Sequence, residues 1–160
     1  MKPDIVLIAH NLRSCHNVGS LLRTAEGLGV SKVWLTGYTP YPKHLKDKRL
    51  GHLSHKIHSQ IHKTALGAEE LVDWEYTDSL KPVMARLKTS NYVICALEQT
   101  ADAIEIHKFL PPGKIALVVG REVEGLESEI LNQVDTCLVI PMFGKKESFN
   151  VAVAAAIGLY

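Results

Sequence analysis

Ser148 and Asn150 stand at the mouth of an almost wholly apolar run over 151–157. A helix opened there begins with N–H groups that lack partners, so a hydroxyl or amide can cap it or hold a ligand. Glu122 lies between Gly120 and Gly125. Glycines let backbone approach a ligand closely, and an acid in such a turn is poorly explained by packing. A third polar stretch covers 10–17 and ends on Asn17. Each has an ordinary alternative when taken alone: a serine cap on a core helix, or a tight strand-to-helix turn. The glycine loop matches neither the dinucleotide fingerprint nor a Walker A sequence.

The elements around these residues give them a common place. Residues 4–9, 92–97, 114–119 and 136–140 are short apolar runs of the kind that form strands buried on both faces, and 32–36 returns to strand after a helix. Val18, Leu21, Leu22, Ala25 and Leu28 fall at helical spacing, and Gly29 ends that helix. Further helices are expected over 78–88, from Leu126 through Val134, and from Ser148 to the apolar run, with a short helix or turn at 65–71. The alternation predicts an α/β fold, a doubly wound, mostly parallel sheet of about five or six strands. The three polar loops then leave three strand ends on one edge, where open α/β sheets bind ligands.

Length and composition narrow the class. The chain's 160 residues, 46% hydrophobic and 22% charged, suit a single domain over 1–160 with one substantial core. No apolar run is long enough to span a bilayer and 1–4 leads straight into strand, so a cytoplasmic protein without membrane attachment is expected. Cys15, Cys95 and Cys137 show no paired spacing, which argues against a disulfide framework or a zinc site. The net charge of +1 hides an asymmetry: Lys43, Lys46, Lys48, Arg49, Lys56 and Lys63 face the single acid Asp47 within 43–63. Such a patch suits a polyanion. The segment 39–64 reads as a loop with a short helix near 53–62. His55, His58 and His62 share a face of that helix, but no carboxylate joins them and lysines would repel a cation, so no metal is expected.

Taken in order, Asn17-Val-Gly-Ser-Leu-Leu-Arg23, Val119-Gly-Arg-Glu122-Val-Glu-Gly-Leu, and Ile140-Pro-Met with Ser148-Phe-Asn150-Val-Ala resemble three signature motifs. They are those of the SpoU/TrmH branch of the SPOUT RNA methyltransferases, and the resemblance covers nearly the whole chain. It implies S-adenosylmethionine as cofactor, the ribose 2′-hydroxyl of a tRNA or rRNA as acceptor, a homodimer, and a C-terminal trefoil knot. Transferred by position, it makes Asn17, Arg23, Glu122, Ser148 and Asn150 the catalytic set. Leu97, Gly120, Ile140, Met142, Ser148 and Phe149 become the cofactor-binding set. Phe149 departs from the leucine usual in the family, which bears on pocket shape. Without an added RNA-binding domain, substrate recognition is expected to fall to this domain and its dimer partner. The alternatives are methylation of a base nitrogen on the same fold, or an RNA-binding module without catalysis; the presence of Arg23 and Asn150 speaks against both.

Overall fold

The computed structural model describes residues 3–160. Its chain runs β1 (Asp4–His10), α1 (Cys15–Leu28), β2 (Lys32–Thr36), α2 (Gly51–Ala65), α3 (Ala68–Leu71), β3 (Trp74–Thr77), α4 (Leu80–Thr89), β4 (Val93–Leu97) and β5 (Ile104–Glu105). A single 3-10 turn at Ile106–Lys108 leads to β6 (Lys114–Val119), α5 (Ser128–Leu131), β7 (Thr136–Val139) and α6 (Val151–Leu159). Among the described residues the strands form one seven-stranded sheet in the order β3-β2-β1-β6-β4-β7-β5. Every pairing is parallel.

The central strands alternate between two cores. Leu7 and Ala9 of β1 and Ile115, Leu117 and Val119 of β6 face a cluster completed by α1, α2 and α6. Val6, Ile8, Ala116 and Val118 face the opposite cluster, which α4 and the start of α5 cover. A period of two with both faces buried explains why these strands read as continuous apolar runs. Each fully buried Leu, Ile or Val contributes roughly 1.5–3 kcal/mol. Helix α1 lies tight against α2 at Gly19, where a Cβ would meet the carbonyl oxygen of Ile61 at 2.2 Å.

Several boundaries differ from the sequence expectation, each for a local reason. Helix α1 starts at Cys15 and not Val18, because the Ser14 hydroxyl accepts from the Asn17 N–H at 3.2 Å and caps it. Helix α2 is longer than 53–62, and α3 begins only at Ala68, since Leu66 and Gly67 both take left-handed conformations between them. Strands β3 and β5 were not expected. They are short edge strands whose four and two residues leave little periodicity to read. Helix α5 is a single turn. Helix α6 is capped by Asn150 and not Ser148. Among the described residues no helix is long and apolar enough to cross a membrane.

Candidate active site

Because all strands are parallel, the loops after β1, β4, β6 and β7 leave the same edge of the sheet. Three of them enclose a cleft of about 250 Å³. That is just under the usual range of about 300–1,000 Å³ for small-molecule sites. Leu97, Gly120, Ile140, Met142, Ser148 and Phe149 all line it, as does Glu122. The six residues expected to hold a cofactor therefore share one cavity.

The loop after β6 is folded back on itself. Arg121 and Gly125 pair as a small antiparallel bridge, with the Gly125 N–H donating to the Arg121 carbonyl at 3.2 Å and Arg121 Nε returning to the Gly125 carbonyl at 3.1 Å. Gly125 has φ 66°, a left-handed geometry that disfavours a side chain. The space is also taken: a Cβ there would lie 2.2 Å from Glu98 Oε2. Glu98 clamps the loop, accepting from the Leu126 N–H at 3.0 Å and from the Gln99 N–H at 3.1 Å. The residues at its tip, Glu122 to Glu124, are thus held out by a closed base. Glu98 was not singled out from sequence. An acid directly after a buried strand was the available signal.

Glu122 does not stand alone. Asn17 Nδ2 donates to Glu122 Oε1 at 3.1 Å, and Asn150 Nδ2 donates to Asn17 Oδ1 at 3.1 Å. Asn150 Oδ1 accepts the Ala152 N–H at 2.9 Å. The direction of the whole relay follows from that last bond. A backbone N–H can only donate, so Asn150 must present its oxygen to α6 and its NH₂ to Asn17, which must turn its own NH₂ to the carboxylate. Residues from three separated stretches thereby lock one another.

Arg23 is placed differently. It lies on α1, six residues beyond Asn17, or about 9 Å along the axis at 1.5 Å per residue. With Ser20, Thr24 and Asn150 it lines an open groove between α1 and α6 whose wall is Val153, Ile157 and Tyr160. The Arg23 side chain is exposed, and none of the hydrogen bonds and ion pairs among the described residues involves its guanidinium. Asn150 is the residue common to the relay and the groove. Ser148, exposed and facing the cleft, has no capping role.

Beneath these loops lies a second polar cluster that sequence reasoning missed. His10 Nδ1 is 2.9 Å from Thr36 Oγ1, and its Nε2 is 3.0 Å from Asn11 Nδ2 and 3.5 Å from Glu127 Oε2. Asn11 also donates to Glu127 Oε1 at 3.2 Å, and Arg121 Nη2 approaches the same oxygen at 3.6 Å. Burial lowers the His10 pKa, against the opposing pull of Glu127 and with help from Arg121. Burial thus favours the neutral imidazole where Glu127 favours the charged one, and the 3.5 Å approach leaves Glu127 Oε2 without a hydrogen bond. Glu127 stays below its ordinary value: burial pushes it up, but its own backbone N–H, Asn11, His10 and Arg121 outweigh that.

The basic segment is less uniform than its composition suggests. Arg49 binds Asp47, donates to the carbonyls of Tyr41 and Pro42, and stacks its guanidinium 3.6 Å from the Tyr41 ring centroid. It fastens the loop and is not free for a polyanion, and it holds the Asp47 carboxyl down at about 2. Lys43, Lys46, Lys48, Lys56 and Lys63 remain exposed. A carboxylate does join the histidines, since Glu69 pairs with His62. Yet among the described residues no group of three or more His, Cys, Asp or Glu could hold a metal.

The sequence model of the SpoU rRNA Methylase family matches residues 4–160. The 23S rRNA (guanosine-2'-O-)-methyltransferase RlmB of Neisseria meningitidis is 31% identical over 99% of this chain and 57% of its own length. The tRNA (guanosine(18)-2'-O)-methyltransferase of Borreliella burgdorferi is 26% identical over 98% of this chain and 64% of its own. The chain thus spans less than two thirds of the length of these relatives. An AdoMet-bound rRNA methyltransferase from Sinorhizobium meliloti superimposes with a TM-score of 0.82 at 19% identity, over 99% of this chain and 55% of that one.

Proposed function

The chain belongs to the SpoU rRNA methylase family, and from that membership we propose that it methylates the ribose 2′-hydroxyl of a tRNA or rRNA with S-adenosylmethionine. The observation that carries this reading is the relay Glu122–Asn17–Asn150, which joins the cofactor cleft to the groove holding Arg23. The cleft suits the cofactor. Gly120 is flush with its wall, where a Cβ would meet Leu126 at 2.7 Å, while half-exposed Phe149 and apolar Leu97, Ile140 and Met142 offer an adenosyl group contact area. S-adenosylmethionine, when bound there, supplies the sulfonium methyl.

The protein's own residues must do the rest: orient an oxygen for in-line attack on that methyl and stabilise it as its proton passes to water, with the thioether S-adenosylhomocysteine as the leaving group. Arg23 cannot readily be the base, because a guanidinium keeps its proton below a pH of about 12. Its role in this reading is to bind the adjoining phosphate and stabilise charge developing on the 2′-oxygen. Asn17 and Glu122 orient the acceptor, Asn150 ties Asn17 to the start of α6, and Ser148 faces the cofactor from the cleft wall. The exposed apolar wall of α6 supports a homodimer as part of the same proposal, since it would bring a second copy to the groove where Arg23 stands. The trefoil knot and a cytoplasmic location belong to this reading as well.

The test is direct. Purified protein is incubated with total RNA and S-adenosylmethionine carrying a deuterated methyl, and the nucleosides are resolved by mass spectrometry. The proposal expects the label in a 2′-O-methylnucleoside. Label on a base nitrogen would favour the other branch chemistry, and no incorporation would favour a binding module.

A further inference from the structure

Tyr38 and Arg13 stand exposed at the carboxyl edge of the sheet, next to the relay but outside it. Tyr38 is 51% exposed and the Arg13 side chain 67%. The Arg13 guanidinium donates to Glu124 Oε1 at 3.2 Å, and Tyr38, whose N–H is bonded to Asn11 two residues before Arg13, is the first cause that raises the Arg13 pKa. Glu122 is near enough to help raise its pKa, after Tyr38 and Glu124. The pair therefore borders the Glu122 loop.

Both residues are presented on loops fixed from below by buried polar groups. Asn11, with φ 57°, accepts the Tyr38 N–H at 3.1 Å through Oδ1 while its Nδ2 holds Glu127. Gly37, at φ 68°, fits only because it lacks a Cβ, which would fall 1.9 Å from Asn11 Oδ1. Its carbonyl accepts from the Tyr76 hydroxyl at 2.8 Å. On the other side of Asn11, the Leu12 N–H donates to the buried Thr39 hydroxyl at 3.0 Å. His10, Thr36 and Thr39 are all buried. An exposed ring on so rigid a mount loses little freedom when a ligand covers it.

A flat aromatic face beside an arginine is how unpaired RNA bases and their phosphates are commonly held. The Arg13–Glu124 pair is exposed on both sides, so exchanging the carboxylate for a phosphate costs little. We propose that Tyr38 and Arg13 form a nucleotide subsite for the RNA acceptor, the ring stacking on an unpaired base and the guanidinium taking the adjoining phosphate. This inference rests on the RNA methyltransferase reading above.

Fluorescence anisotropy with two probes tests it: a short fluorescein-labelled oligouridylate, and an abasic ribose-phosphate chain of equal length. Tyr38→Ala is expected to weaken oligouridylate binding about tenfold, within the range for one stacked base, and to leave the abasic chain unaffected. Tyr38→Phe retains the wild-type affinity. Arg13→Ala weakens both probes and lowers the salt-dependence slope by about one unit. Unchanged oligouridylate binding in Tyr38→Ala, or equal losses on both probes, overturns the subsite while leaving the methyltransferase reading standing. Wild-type protein that binds neither probe overturns both.

Discussion

Arg23 carries the mechanistic weight, because a substitution can change its geometry while keeping its charge. A planar fork binds a phosphate or an oxyanion in two places; an ammonium is a point charge. Arg23→Lys is therefore expected to fail nearly as badly as Arg23→Ala, both losing at least about 10²-fold in kcat, the scale for one preorganised donor. S-adenosylmethionine affinity should not move, since Arg23 lines the groove and not the cleft. A lysine variant retaining most activity, in assays on a confirmed RNA substrate, would show that charge alone matters. His10 gives a pH signature of its own. Its pKa is lowered chiefly by burial, so below an unfolded value of about 6.5 the unfolded chain binds the extra proton. Stability from neutral His10 is present above that pH and is lost as pH falls toward the folded value. Melting temperature followed from pH 7.5 to 5 should decline in wild type and decline less in His10→Gln; parallel curves would contradict the assignment.

At the scale of elements, helix α1 was legible from its apolar spacing and closing Gly29, strands β1, β2, β4, β6 and β7 from short apolar runs, and α6 from an apolar run after a polar mouth. The motifs on 17–23, 119–126 and 140–154 fall on the segments that meet at the cleft and the relay. What could not be read was how the loops close. Nothing in the types of Asn17, Glu122 and Asn150 announces a relay, since side-chain hydrogen bonds across more than a hundred residues depend on register. The cluster of His10, Asn11 and Glu127 was hidden for the same reason. The basic segment shows the opposite failure, in which composition overstated what is available: Arg49 is consumed by Asp47 and Tyr41. If this segment meets phosphates, the exposed lysines are the charges it has to offer. Replacing Lys46 and Lys48 together by alanine should lower the slope of log affinity for RNA against log salt by about two units. An unchanged slope would make this loop an ordinary solvated surface.

For the whole molecule, the sheet builds two compartments and α6 adjoins both. Its inner side, Ala152, Ala155 and Leu159, is buried in the core, while Val153 and Ile157 remain 48% and 40% exposed along the groove. An apolar helix so displayed needs a cover, and a second copy fits the proposal above. Light scattering at micromolar concentration should give the mass of a dimer, and Ile157→Lys should shift it to monomer with the fold intact by circular dichroism. A monomeric wild type would count against this. The most direct measurement of the central claim uses the chemistry of RNA itself. A free 2′-hydroxyl is the nucleophile that cleaves the chain in alkali, so a 2′-O-methyl group protects the linkage that follows it. RNA labelled by this protein with tritiated S-adenosylmethionine and digested to completion in alkali should release the label in dinucleotides. Label recovered in mononucleotides would place the methyl on a base and contradict the account.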